Sequence, residues 1–209
     1  MGRRVELDGV IASAGFASGD RVVLGLWDRG PLGAMSDVMW ARPDGSRVLL
    51  APDGDVATFV TSVYRFDEVR IVAFEGVRDA RAIALDAGPL RIRMAAGEGI
   101  PFPPRPAWAT RWVEGPLARM LLGVETYGRS PTGVREWYRT VRYRPLRWAS
   151  LHVDGSDAGA MGPVSPPLGV GVSEPPTRPA AVEVRPLLVW DDAAVRSDGR
   201  PGGRPRRRR

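Results

Sequence analysis

The chain has 209 residues, of which 44% are hydrophobic and 26% charged, with a formal net charge of +6 at pH 7. That length fits one domain of ordinary size or two small ones, with enough apolar residues for a core. Cys, Lys, Asn and Gln are absent and His152 is the one histidine, which excludes disulfides, thiolate nucleophiles, lysine Schiff bases, lysine-dependent phosphate loops and multi-histidine metal cages.

All thirty cationic side chains are therefore Arg. The combined loss of Lys and Asn looks like compositional bias of a genome, so no single Arg reads as chosen over Lys. The charge excess sits at one end. Residues 196–209 hold seven Arg and one Asp, which leaves 23 Arg against 23 acidic residues in 1–195. The body is formally neutral, and its sequence argues against a basic nucleic-acid-binding domain. The Arg3-Arg4 pair is followed at once by Glu6 and Asp8, and the apolar stretch Val10–Ala14 is too short for a signal core. No uncharged apolar run approaches the roughly 18 residues of a membrane span, so the expectation is a cytoplasmic protein.

In chain order, Arg21–Trp27 is a β-rich run, and Asp28–Ala34 reads as a Gly/Pro loop. Asp37–Arg42 and Arg47–Ala51 flank Pro43-Asp44-Gly45-Ser46, where Pro presets the turn and Gly accepts positive φ, giving a hairpin. The period then changes: Val56, Phe59, Val60 and Val63 recur at helical spacing, with Asp53 or Asp55 available as cap, predicting a short helix over 55–64. Val69–Phe74 returns to strand. Ile83–Leu85 and Leu90–Met94 form a second hairpin about Ala87-Gly88-Pro89, and the second arm alternates Leu90, Ile92, Met94 with Arg91, Arg93. Pro106 suits a helix start ahead of Trp108 and Trp112, and a further turn carries Leu117, Met120 and Leu121. Val134–Tyr143 and Trp148–Val153 read as strands on either side of Arg144-Pro145. Residues 162–179 read as Pro-rich and extended. Ala181–Trp190 reads as a last strand that Pro186 either breaks or confines to an edge.

Short turns join most of these strands, with no alternation of strand and long helix. The expected class is α+β, mainly antiparallel β: one barrel-like or sandwich domain over 1–190 with two or three short helices, then a disordered Arg-rich tail over 191–209. The strings GFASGDRVVLGLW, DVMWARPDGSRVLLAP, YRFDEVR and GVREWYRTVRYRP resemble a family of bacterial proteins of similar length that has no assigned activity. The resemblance spans most of residues 15–190; it implies a defined fold and adds nothing on function.

The densest chemistry-bearing cluster is Arg135 to Arg144. Strict alternation puts Arg135, Trp137, Arg139, Val141 and Tyr143 on one face, with Glu136, Tyr138, Thr140, Arg142 and Arg144 on the other. Arg beside aromatic rings suits an anionic or aromatic ligand, or single-stranded bases. The bland alternative is an Arg–aromatic ladder that stabilises the sheet. Trp108 and Trp112, four apart, share a helix face and suit a lid.

The leading expectation is thus a soluble binding protein for a small, partly apolar ligand that can be anionic, walled by Arg135, Trp137, Arg139 and Tyr143 and covered by Trp108 and Trp112. It needs no cofactor or metal. A different class is an enzyme built on Asp67, Glu68 or Glu136, with or without His152; it requires one of these acids to be buried beside a second polar group. Asp20, Asp28 and Asp37 lie near turns, where Asp serves the local backbone. The tail GRPGGRPRRRR offers weak, non-specific attraction for nucleic acid or anionic membrane, which would make this an interaction protein acting through its tail, or is a solvated terminus.

Overall fold

In the computed structural model, residues 3–101, 127–171 and 174–190 are described. Both candidate lid tryptophans, Trp108 and Trp112, the predicted helical turns around them, and the Arg tail lie outside these residues.

Strands β1 (Arg4–Glu6), β2 (Asp8–Phe16), β3 (Arg21–Arg29), β4 (Met35–Ala41) and β5 (Arg47–Ala51) open the chain, followed by helix α1 (Gly54–Thr61). Then come β6 (Glu68–Ile71), β7 (Phe74–Arg78), β8 (Ala82–Ala87), β9 (Leu90–Ala96) and β10 (Ile100–Pro101). Beyond residue 126 lie β11 (Tyr127–Arg129), β12 (Arg135–Val153), β13 (Ser156–Asp157), β14 (Met161–Gly162) and β15 (Ala180–Val189). The main path runs β6-β5-β4-β3-β2-β15-β12-β9-β8-β7, a mainly β architecture in which one sheet curls into a half-barrel. Its two end strands, β6 and β7, are consecutive in sequence. The link between them is tied to both sides: Val72 N–H donates to Ala51 O at 3.0 Å, and Ala73 O accepts from Gly88 N–H at 3.3 Å.

The predicted hairpin turn at 43–46 is present, with Gly45 at φ +87° and Asp44 Oδ1 accepting from Ser46 N–H at 2.8 Å. The helix also forms. Asp53 Oδ1 caps it through Val56 N–H at 2.8 Å, and Val56, Ala57, Phe59 and Val60 face inward. It crosses over between β5 and β6, the one parallel pair among the described strands.

Several expectations change. The stretch predicted as a loop from Asp28 is partly strand, since β3 runs on to Arg29, and Val69–Phe74 divides between β6 and β7. The two strands predicted on either side of Pro145 are one, β12, because Pro145 lies where the strand leaves β15 and joins β9. Pro186 lies inside the sheet. Its carbonyl accepts from Leu7 N–H at 3.0 Å, so its nitrogen faces the same side, at the handover between β1 and β2, where no ladder bond is required. One helix occurs among the described residues, the further predicted turns at 106–121 lying outside them, and no described helix is long and apolar enough to cross a membrane.

The sheet is covered on both faces. Val22, Leu24, Leu26, Val38, Trp40, Val48 and Leu50 meet Leu85, Ile92 and Leu151 from the β8–β9 side. Alternation turns Val23, Gly25, Trp27, Asp37, Met39 and Leu49 the other way, toward α1 and the segments 163–171 and 174–176, here called the strap. Each fully buried aliphatic side chain contributes about 1.5–3 kcal/mol.

The α1 cap gives a direct check. Asp53→Ala is expected to lower stability by about 1 kcal/mol in urea denaturation, with Asp53→Asn close to unchanged.

Candidate functional site

Between the strap-covered face and α1 lies a cavity of about 100 Å³. Its walls are mostly apolar: Ile11, Val23, Met39, Phe59, Val60 and Val182 are among them. Polar groups come from Trp27, Asp37, Tyr64, Tyr138, Thr140, Tyr143 and Glu174, and among the described residues no Arg or His lines it.

The strap is fixed by backbone contacts. Arg21 Nη1 donates to Pro166 O at 2.9 Å, Arg47 Nη1 to Gly169 O at 2.8 Å, and Arg65 N–H to Val170 O at 3.0 Å. Glu174 closes the loop by accepting from Leu168 and Gly169 N–H at 3.0 and 2.7 Å. A side chain at Gly171 would put its Cβ 2.6 Å from the Tyr64 ring, so glycine permits the close passage there.

Asp37 sits at the centre of the site. It is 2% exposed, mid-strand in β4 and directly opposite Gly25 of β3. Trp27 Nε1 donates to its Oδ2 at 3.2 Å. Its Oδ1 is buried and finds no hydrogen-bond partner among the described residues. A Cβ on residue 25 would lie 2.3 Å from Asp37 Oδ2 and 2.7 Å from Trp27 Nε1. Loss of hydration raises the Asp37 pKa from 3.8 to about 7, against the smaller opposing effect of the Trp27 hydrogen bond. Asp37 is thus a cavity wall group and not the turn residue its sequence position suggested.

Behind the cavity, Glu136 of β12 is fully buried. The Tyr64 hydroxyl donates to Glu136 Oε2 at 2.9 Å and is in hydrogen-bond contact with the Tyr138 hydroxyl. Burial first, then neighbouring negative charge, pushes both phenols well above their usual range. They remain protonated donors for the carboxyl. Glu136 meets the condition of a buried acid beside a second polar group, but it is held by the tyrosines and does not line the cavity.

The remaining candidates are distributed elsewhere. Thr140 pairs with Val184 and Arg142 with Glu183, so Val141 is an extra residue in β12. This bulge turns Tyr143 into the cavity with Tyr138 and Thr140, apart from Arg135, Trp137 and Arg139. Those three belong to the opposite face: the Arg135 guanidinium lies 5.6 Å from the Trp137 ring centroid, and Arg139 is paired across from Arg185. Trp137, Arg139 and Arg185 line a separate groove with Asp8, where Asp8 Oδ2 takes Arg29 at 2.9 Å and Arg185 at 3.1 Å.

Asp67 and Glu68 are not site residues. Asp67 is held down to about 2 by hydrogen bonds from Arg47 at the surface, and Glu68 is lowered by Arg70. His152 pairs across to Arg91 and Asp157 near the far end of β12, roughly 50 Å of strand from Glu136 at ~3.3 Å per residue. Asp20 is buried and accepts from Trp40 Nε1 at 2.7 Å, while Asp28 pairs with Arg78. Among the described residues, no three His, Asp or Glu side chains converge on a metal site. The signal that would have found Asp37 is its place in DVMWA. Val38 and Trp40 fill one face, so Asp37 and Met39 face the other, and a strand apolar on both faces buries any acid it carries.

Two consequences are measurable. The folded protein keeps the Asp37 proton up to about pH 7, whereas the unfolded chain releases it near 3.8. Over that window the unfolded state binds fewer protons, so stability falls as pH rises, by on the order of 4 kcal/mol in full. Asp37→Asn is expected to remove this slope and to exceed the parent in urea midpoint at pH 8, but not at pH 4. Gly25→Ala is expected to cost about 1–3 kcal/mol by overpacking and to shift the tryptophan emission through loss of the Trp27–Asp37 bond.

The chain matches no family model and none of the curated proteins. Among solved structures it is similar to an acetoacetate decarboxylase at 9% identity and TM-score 0.38, covering 89% of this chain and 84% of that one. Acetoacetate decarboxylase from Legionella pneumophila subsp. pneumophila gives 8% identity and TM-score 0.34, with 89% and 82% covered. A protein assigned as AttH from Nitrosomonas europaea gives 12% and 0.32, with 87% of this chain but only 51% of that one covered. At these values the likeness lies in the run of the chain, and none of the chemistry of those proteins is carried over.

Proposed function

We propose that the protein binds a small, mainly apolar molecule in the cavity between the main sheet, α1 and the strap. One observation carries this reading: an apolar hollow of about 100 Å³ whose described wall holds a single unsatisfied polar atom, Asp37 Oδ1. A void in a packed interior forfeits dispersion contacts, and a buried carboxyl oxygen without a partner is costly. A ligand of suitable shape offsets both. The size is right for a molecule of about four to six heavy atoms, since an apolar cavity half as large again, about 150 Å³, accommodates benzene.

This keeps a small-ligand function and moves the site. Tyr143 remains a wall residue, whereas Trp137 and Arg139 line the groove on the other face and Arg135 stacks beside Trp137. With acids and phenols as the ionisable groups in its walls, the cavity disfavours an anion.

Catalysis on the bound molecule is the second reading, and Asp37 is the observation behind it. A carboxyl that titrates near pH 7 both gives and takes protons under ordinary conditions. Following a bound ligand in D2O by proton NMR separates the two. Conversion or exchange that disappears in Asp37→Asn is catalysis, and an unchanged ligand is binding alone.

Binding itself is tested by thermal shift with benzene, phenol, 1-pentanol and pentylamine. A ligand at a hundred times its Kd is expected to raise Tm by about 5–10 °C, and Val184→Phe, which fills the cavity, is expected to abolish the rise. A parent protein indifferent to all four refutes the reading.

A further inference from the structure

The geometry points to a ligand with a cationic amine head seated on Asp37 among aromatic rings, an inference that rests on the binding reading above. Asp37 offers the head a carboxyl oxygen, Oδ1, that nothing else among the described residues engages, while Trp27 Nε1 holds the other oxygen in place at 3.2 Å. Gly25 leaves room for the carboxyl at the sheet surface. Trp27, Tyr64, Tyr138 and Tyr143 supply rings to the same walls, and ring faces attract an ammonium most strongly where water is excluded.

Charge selects among ligand classes. The titratable groups facing Asp37 across the cavity are Tyr138 and Tyr143 of β12, Tyr64 after α1, and Glu174 of the strap, with Glu136 behind the tyrosine pair. Each is an acid, and no guanidinium or imidazole is in the lining among the described residues. A carboxylate ligand meets no cation in the cavity and adds a second buried negative charge. A neutral alcohol or ketone satisfies Oδ1 but gains only an ordinary hydrogen bond. An ammonium turns Asp37 into a paired carboxylate and forms a charge-assisted bond, roughly twice as strong as a neutral one. Because Asp37 holds its own proton below about pH 7, an ammonium has to displace that proton under acidic conditions, so its affinity falls as pH is lowered.

The test is calorimetric titration of the full chain with pentylamine, 1-pentanol and pentanoic acid at pH 8 and pH 6, for the parent and Asp37→Asn. At pH 8 pentylamine is expected to bind at least about tenfold tighter than 1-pentanol and to lose about tenfold at pH 6, with 1-pentanol unchanged between the two. In Asp37→Asn the amine is expected to fall to the level of the alcohol while alcohol binding persists. Should the variant not fold, the amine–alcohol comparison and its pH dependence in the parent decide the matter. Equal affinity for amine and alcohol at pH 8, or tighter binding of the acid, overturns the amine assignment and leaves the cavity reading standing. Failure of all three to bind the parent overturns the cavity reading and the assignment with it.

Discussion

The main sheet is covered twice, by the β8–β9 layer on one face and by α1 with the strap on the other, and this double burial governs the chemistry of every polar group within it. Asp37 occupies the middle of β4 under that constraint. Water is excluded there, so the charged form of the carboxyl is disfavoured, and a single indole N–H is too little to restore it. Neighbours are adjusted to the same carboxyl. Gly25 opposite makes space, and Trp27, two residues on, supplies the one donor. A side chain that costs stability yet is so specifically accommodated is characteristic of a site kept for function.

Glu136 shows the alternative way of keeping an acid in the interior. It is as deeply buried as Asp37, but two phenols serve it and it stays behind the cavity wall. The contrast between the two acids is one of placement. One is enclosed in a hydrogen-bonded cluster, which rigidifies the interior, and the other presents an open valence to a space large enough for a ligand.

The bulge at Val141 sorts the densest stretch of the sequence into two environments. Before it, odd-numbered Trp137 and Arg139 face the outer groove while Tyr138 and Thr140 face the cavity, with Glu136 behind its wall; after it, Tyr143 replaces an even-numbered residue on the cavity side. One inserted residue thus removes the guanidinium groups from the ligand-sized space and adds a phenol to it. The arginines are then engaged around the rim: Arg185 and Arg29 share Asp8, and Arg47 grips Asp67 and the strap together. At such exposed positions ion pairs contribute little to stability, and the value of the Arg47 and Arg21 contacts lies in fixing where the strap runs.

Local rules were enough to place the 43–46 turn, the Asp53-capped helix, the 83–94 hairpin and the mainly antiparallel character, because each depends on residues within a few positions of one another. The same rules showed that the cationic excess is confined to the terminal stretch. The site was not legible in this way. Val23, Gly25 and Asp37 acquire their roles from strands stacked on both sides, and the Pro-rich strap becomes a cavity wall only by crossing over Val23 and Ala41. The bulge is equally silent in sequence, since alternation continues unbroken through Val141 and only the register against β15 reveals the extra residue. Local patterning determined which faces were apolar; tertiary packing decided which faces lost their water, and loss of water is what sets the protonation of Asp37 in the cavity wall.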